Sequence, residues 1–207
     1  GCLMEGISAE AASLAGTLEL GKLTLLYDDN EISIEGDTDI AFKEDVGKRF
    51  EAYGWQVIRL DDGNDAEKVS AAIAEAKKDE KHPTLIICPT KIGFGCPAKE
   101  GSESAHGAPL GVDNVLATKK NLGMPEETFY VLPEVYEHIN SLMAKNEQTE
   151  AAWNDMFDAY CAQYPELKEE WDLWHAEELP EDVVMNDELW QWDGKIATRA
   201  TSGQMIN

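Results

Sequence analysis

Small and apolar residues recur at helical spacing through EGISAEAASLAGTLEL, residues 5–20. Ile7, Ala11, Leu14, Ala15 and Leu18 share one stripe, which predicts a close-packed helix with Gly21 as its stop. The pattern then changes. Leu23-Thr24-Leu25-Leu26-Tyr27 is a short apolar run ending in Asp28-Asp29-Asn30, and two further runs occupy 56–60 and 84–88. Continuous rather than alternating apolarity predicts strands covered on both faces. Helical patterns around 44–53 and 65–78 separate the three runs, so the order is strand, helix, strand, helix, strand. That order predicts right-handed crossovers, an α/β fold and a parallel sheet with flanking helices. Ligands of such sheets collect at the carboxyl ends of the strands, here 28–34, 61–64 and 89–95.

Beyond the strands the composition shifts. Residues 93–111, GFGCPAKEGSESAHGAPLG, are rich in Gly and Pro and predict a long irregular loop, a common place for function. A short helix is expected over 113–121. Residues 133–179 read as mostly helical with Pro165 as a break. The stretch 166–193 concentrates acidic residues and tryptophans, as an acidic arm that docks its Trp side chains on another domain would.

The 207 residues carry 17 Lys+Arg against 41 Asp+Glu, a formal charge of −24. This acidity argues against nucleic acid or an anionic membrane as partner. It also means that any phosphorylated ligand needs a local cation. A hydrophobic share of 43% is enough for a core and argues against a wholly disordered chain. No apolar run reaches the length of a membrane span. The opening Gly1-Cys2-Leu3-Met4-Glu5 has neither a basic n-region nor an initiator Met, which predicts a processed chain or a piece of a longer one. The scattered Cys2, Cys88, Cys96 and Cys161 read as reduced thiols without a zinc pattern, so a cytoplasmic location is expected.

Several blocks, in order, resemble the transketolases: Gly1-Cys2-Leu3-Met4-Glu5-Gly6-Ile7-Ser8, Ser13-Leu14-Ala15-Gly16, Tyr27-Asp28-Asp29-Asn30-Glu31-Ile32-Ser33-Ile34, Arg49-Phe50-Glu51-Ala52-Tyr53-Gly54-Trp55, Ile92-Gly93-Phe94-Gly95, His106-Gly107-Ala108-Pro109-Leu110-Gly111 and Ile196-Ala197-Thr198-Arg199-Ala200-Thr201-Ser202-Gly203. The resemblance covers almost the whole chain and is weakest at about 133–193. It implies transfer of a two-carbon ketol unit from a ketose phosphate to an aldose phosphate, with thiamine diphosphate and Mg²⁺ (or Ca²⁺) as cofactors. The family's fingerprint is Gly-Asp-Gly followed some thirty residues later by Asn. Gly1 would be its second glycine, and the sequence would open inside the motif.

By the same resemblance, Gly1 meets the cofactor diphosphate. The side-chain oxygen of Asn30 and the main-chain carbonyl of Ile32 hold the metal. His106 faces both the diphosphate and the reacting end of the substrate, and Arg199 grips the sugar phosphate. Glu5 and Glu10, about 140° apart on an ideal helix, belong to a carboxylate chain at the interface of a homodimer. Residues 1–132 would be the C-terminal part of the diphosphate-binding domain. Residues 133–193 would form a helical acidic extension, and 194–207 the start of a linker to a pyrimidine-binding domain. The cofactor-activating glutamate and the upstream histidines have no counterpart in this sequence, so the chain alone is expected to be inactive.

Two other readings stand beside this one: a non-catalytic binding or assembly module, and a sister enzyme such as dihydroxyacetone synthase or a deoxyxylulose-phosphate synthase. The His106–Gly111 and Tyr27–Asn30 blocks favour transketolase over the last of these. An upstream reading frame continuing into Gly-Asp separates an enzyme fragment from a free-standing module.

Overall fold

The computed structural model describes residues 1–177, 185–192 and 194–206, which divide into two compact units, Gly1–Tyr130 and Val131–Asn207. In the first, α1 (Gly6–Thr17), α2 (Val46–Ala52), α3 (Ala66–Ala76) and α4 (Val112–Asn121) accompany five strands. Strands β1 (Thr24–Asp29), β4 (Gln56–Arg59) and β5 (Thr84–Pro89) form a parallel sheet in the order β1-β5-β4. Thr24 aligns with Thr84 on one side of β5, and Gln56 with Thr84 on the other. A small antiparallel hairpin, β2 (Ile32–Ser33) and β3 (Gly36–Asp37), follows β1 directly.

The middle strand organises the core. Side chains alternate across a strand, so Leu85 and Ile87 enter one cluster with Ala12, Ala15, Val46, Phe50 and Trp55. Ile86 and Cys88 enter another with Ala72 and Ala76 of α3. Burying each large aliphatic side chain contributes about 1.5–3 kcal/mol, and β5 is the strand that collects it from both faces. Trp55 adds an edge-to-face contact with Phe50 at 5.0 Å, and its indole N–H donates to the Ala12 carbonyl at 2.8 Å. Asp45 and Asp65 cap α2 and α3, accepting from the N–H groups of Lys48 and of Glu67 and Lys68.

Two expectations change here. The first helix ends at Thr17, because Glu19 turns left-handed with φ 51°. Gly21 has a different job: a Cβ there would lie 1.9 Å from the Glu80 carbonyl oxygen, so glycine is what lets this turn close on the α3–β5 connection. Only β5 is covered on both faces. Among the described residues β1 has a strand neighbour on one side, and Leu26 is 46% exposed.

The second unit contains α5 (Pro133–Gln163), α6 (Pro165–His175) and α7 (Thr198–Ile206). Pro165 occupies the first turn of α6, where its missing N–H costs nothing, and Tyr164 makes the break. Trp171 of α6 meets Phe157 of α5 at 5.1 Å and stacks on His175 at 4.2 Å, while Trp153 stacks on Phe157 at 5.0 Å. Trp171 thus packs within its own unit, and Trp174 stays 79% exposed. Part of the expected acidic arm, residues 178–184 and 193, lies outside the described residues.

Candidate cofactor site

The loops after β1 and β5 leave the sheet at the same end, and they are tied together. The Thr90 hydroxyl donates to the Asp28 carboxylate, and the Thr90 N–H to the Asp29 carbonyl at 3.3 Å. The third predicted loop, 61–64, joins them through the Gly63 N–H, which donates to Pro89 O at 2.7 Å. A carboxyl-end assembly of this kind is where α/β sheets bind ligands.

Just past β1, the Asn30 side-chain oxygen accepts the Ile32 N–H at 3.0 Å, a local turn that fixes its direction. Between them Glu31 takes a left-handed φ of 59°, a conformation that costs a non-glycine residue on the order of 1 kcal/mol. The hairpin that holds it closes from the other side, with Thr38 N–H donating to Glu31 O at 2.9 Å. Gly1, Asn30 and Ile32 line one small cleft together with Leu3, Met4, Tyr27, Thr38 and Phe42. A Cβ built on Gly1 meets no atom within 4 Å, so the space beside it is open. Asn30, Glu31, Ile32, Thr38 and Phe42, all 29 or more positions from Gly1 in the sequence, are thereby brought to one cleft with it.

The cleft is acidic. Asp28, Asp29 and Glu31 flank Asn30, and Tyr27 has its hydroxyl pushed up to about 12, first by burial and then by the Asp29 carboxylate. A diphosphate entering such a place needs a cation between itself and the carboxylates. Among the described residues no group of three or more His, Cys, Asp and Glu converges as a metal site. The oxygen donors at hand are the Asn30 amide oxygen, main-chain carbonyls and the Asp28 and Glu31 carboxylates, a hard set suited to Mg²⁺ or Ca²⁺ rather than to a soft metal.

His106 sits in the loop of residues 93–111, exposed, just after a short 3₁₀ turn (Glu103–Ala105). The loop is irregular but anchored. Glu100 accepts the Gly95 N–H at 2.7 Å, the interaction that most lowers its carboxyl below the usual range. Asn121 donates to Gly95 O at 2.9 Å, and Lys99 to Pro109 O at 3.2 Å. Arg199 lies exposed on α7, in the second unit. Glu10 is exposed on α1. Glu5 is exposed as well but precedes the helix in extended backbone, so the 140° helical spacing does not apply to the pair. Its carbonyl instead accepts the Ser8 N–H and hydroxyl.

The sequence reading missed Arg49. It belongs to α2, yet its guanidinium donates across the fold to the Leu3 carbonyl at 3.1 Å. Nothing local signals this, because the partner lies far away in sequence. The β2–β3 hairpin was also missed, though Ile32-Ser33-Ile34-Glu35-Gly36 carries the short alternation and glycine that could have shown it.

Residues 1–180 match the family described as "Transketolase, thiamine diphosphate binding domain". The class is therefore that of a thiamine-diphosphate-binding domain. Curated relatives extend the match: transketolase of Bacillus subtilis is 46% identical over the whole chain, and transketolase 2 of Vibrio parahaemolyticus 53% identical over 87% of it. A solved transketolase from Pichia stipitis, in complex with sedoheptulose 7-phosphate, superposes with a TM-score of 0.74 at 44% identity, covering 88% of this chain and 27% of that one. The chain belongs to the transketolase family. It spans 31% of the Bacillus relative's length and 27% of the Vibrio relative's.

Proposed function

We propose that this chain is the metal- and diphosphate-binding part of an enzyme that moves a two-carbon ketol unit from a ketose phosphate to an aldose phosphate. The observation that carries this reading is the convergence of Gly1, Asn30 and Ile32 on one cleft at the carboxyl end of the parallel sheet. When bound, thiamine diphosphate supplies the nucleophilic carbon and the electron sink that cleavage beside a ketose carbonyl requires. Gly1 leaves the backbone free to approach the diphosphate without a side chain in between. Asn30 and the Ile32 carbonyl hold Mg²⁺ or Ca²⁺, and the cation screens the diphosphate from Asp28, Asp29 and Glu31. His106 donates to the oxygen that gains charge as the substrate reacts, or shuttles a proton to and from it. Arg199 grips the sugar phosphate. The whole enzyme is a cytoplasmic homodimer with Glu5 and Glu10 at its interface. Among the described residues no helix is long and apolar enough to cross a membrane.

The decisive test is Asn30→Ala in the full-length protein, titrated calorimetrically with thiamine diphosphate at fixed Mg²⁺. Loss of one of six oxygen ligands is expected to weaken binding at least about tenfold. Unchanged affinity would remove Asn30 from the site and take the reading with it.

A second expectation concerns the chain alone. The purified 207-residue chain should give no turnover of xylulose 5-phosphate with ribose 5-phosphate above a host-protein blank. Measurable turnover would favour a self-sufficient site over a half-site.

A further inference from the structure

One residue tied to two that line the cleft does not line it itself. The backbone of residues 1–3 forms one turn, closed by the Met4 N–H donating to Gly1 O at 2.8 Å and the Glu5 N–H to Cys2 O at 3.2 Å. That turn must keep a fixed distance from Asn30 and Ile32 if one diphosphate and one metal are to touch both. The Leu3 carbonyl is its anchor, and it accepts from the Ser8 hydroxyl at 3.3 Å and from Arg49 Nη2 at 3.1 Å.

Arg49 is held on every side. Its side chain is 18% exposed, and its guanidinium lies over the rings of Phe42 at 5.9 Å and Phe50 at 5.6 Å. Its Nε stands 2.6 Å from a Glu44 carboxylate oxygen, off the direction of the N–H, so the contact is a charge pair rather than a hydrogen bond. Phe42 and Leu3 both line the cofactor cleft, whereas Arg49 does not. The helix that carries Arg49 is itself fixed to the sheet. Asp45 at its N-terminus pairs with Arg59 of β4 at 2.8 Å, and that contact, followed by the Lys48 N–H, holds the Asp45 carboxyl down at about 2.

We propose that Arg49 is a positioning residue for the diphosphate: its guanidinium fork bridges Leu3 and Phe42 and so fixes the backbone of residues 1–3 against the Asn30–Ile32 turn. A planar fork can donate to a carbonyl in one plane while stacking on two rings and facing a carboxylate. An ammonium cannot fill those three roles from one point. This inference rests on the proposed cofactor site and assigns Arg49 no contact with substrate or cofactor.

The test compares Arg49→Lys and Arg49→Met in the full-length enzyme, with Asn30→Ala alongside. Thiamine-diphosphate affinity at fixed Mg²⁺ is expected to fall about tenfold in both Arg49 variants. The amides of residues 3–8 in the cofactor-free protein should exchange hydrogen faster, and kcat at saturating cofactor should stay within about twofold of the parent, because Arg49 touches no reacting atom. Arg49→Lys keeps charge and stem and decides the matter should Arg49→Met not fold. An affinity in Arg49→Lys equal to the parent's would overturn the proposal, since charge alone would then suffice. So would a lowered Tm in both variants with unchanged affinity, the signature of a purely structural arginine. Asn30→Ala separates the two levels. If it weakens binding while Arg49→Lys does not, only this inference falls; if neither does, the cofactor site itself is wrong.

Discussion

Replacing His106 by alanine in the full-length enzyme is expected to lower kcat about thirty- to a thousandfold while thiamine diphosphate stays bound. The estimate takes one donor to a developing oxyanion as worth about 2–4 kcal/mol in the transition state. It rests on the family correspondence of the His106–Gly111 block and on the loop that carries it. His106 is the histidine of the anchored loop that leaves β5, where Thr90 ties that loop to Asp28. The other three histidines have surroundings that account for them: His82 accompanies Asp79 at 2.9 Å, His175 stacks on Trp171, and His138 is exposed on α5. The check is a kcat measurement at saturating donor, acceptor and cofactor, paired with a cofactor titration. Full turnover in His106→Ala would reduce the residue to part of the loop. A loss confined to cofactor affinity would move it from the reacting end of the substrate to the diphosphate.

Arg199→Ala should separate phosphate recognition from chemistry. A charge-assisted pair between guanidinium and phosphate contributes roughly 1.5–3 kcal/mol. Its loss should cost about ten- to a hundredfold in kcat/KM for a phosphorylated donor, mostly in KM, because the phosphate is remote from the bond that breaks. Hydroxypyruvate, which has no phosphate, should be nearly unaffected. The two donors are compared in parent and variant with one saturating acceptor. Equal losses would mean that Arg199 acts through the fold or an interface, and that the family correspondence beyond residue 133 is out of register. One fixed guanidinium can hold a phosphate despite a net charge of −24. The overall field slows encounter, whereas the contact itself is local and short-ranged.

The parallel strands were legible because each carries its own signal. Thr84-Leu85-Ile86-Ile87-Cys88 is apolar on both faces, and it is buried on both. The boundary at Gly21 was misread because glycine has two uses. One is to end a helix; the other is to admit a close backbone contact, and only the fold reveals the Glu80 carbonyl waiting there. Asn30 and Ile32 were legible as a pair through family likeness, since Asp-Asp-Asn alone is an ordinary polar turn. What the chain does not spell out locally is the neighbour across the fold. Arg49 stands in the sequence as one residue of a family block, and its partner shows only when the fold brings Leu3 to it.

The strand order has a consequence for the way the protein is made. Among the described residues β1 and β4 are not neighbours; each pairs with β5, the last of the three to leave the ribosome. Thr24 must wait for Thr84, and Gln56 for the same residue. Contacts so distant in sequence close slowly, so the β1–β5 and β4–β5 ladders are complete only after residue 89 has been synthesised. The Asn30–Ile32 turn at the end of β1 inherits that delay. Its own bonds are local, but the tie from Thr90 to Asp28 waits for β5, so the joining of the two loops belongs to the last step of assembling this sheet.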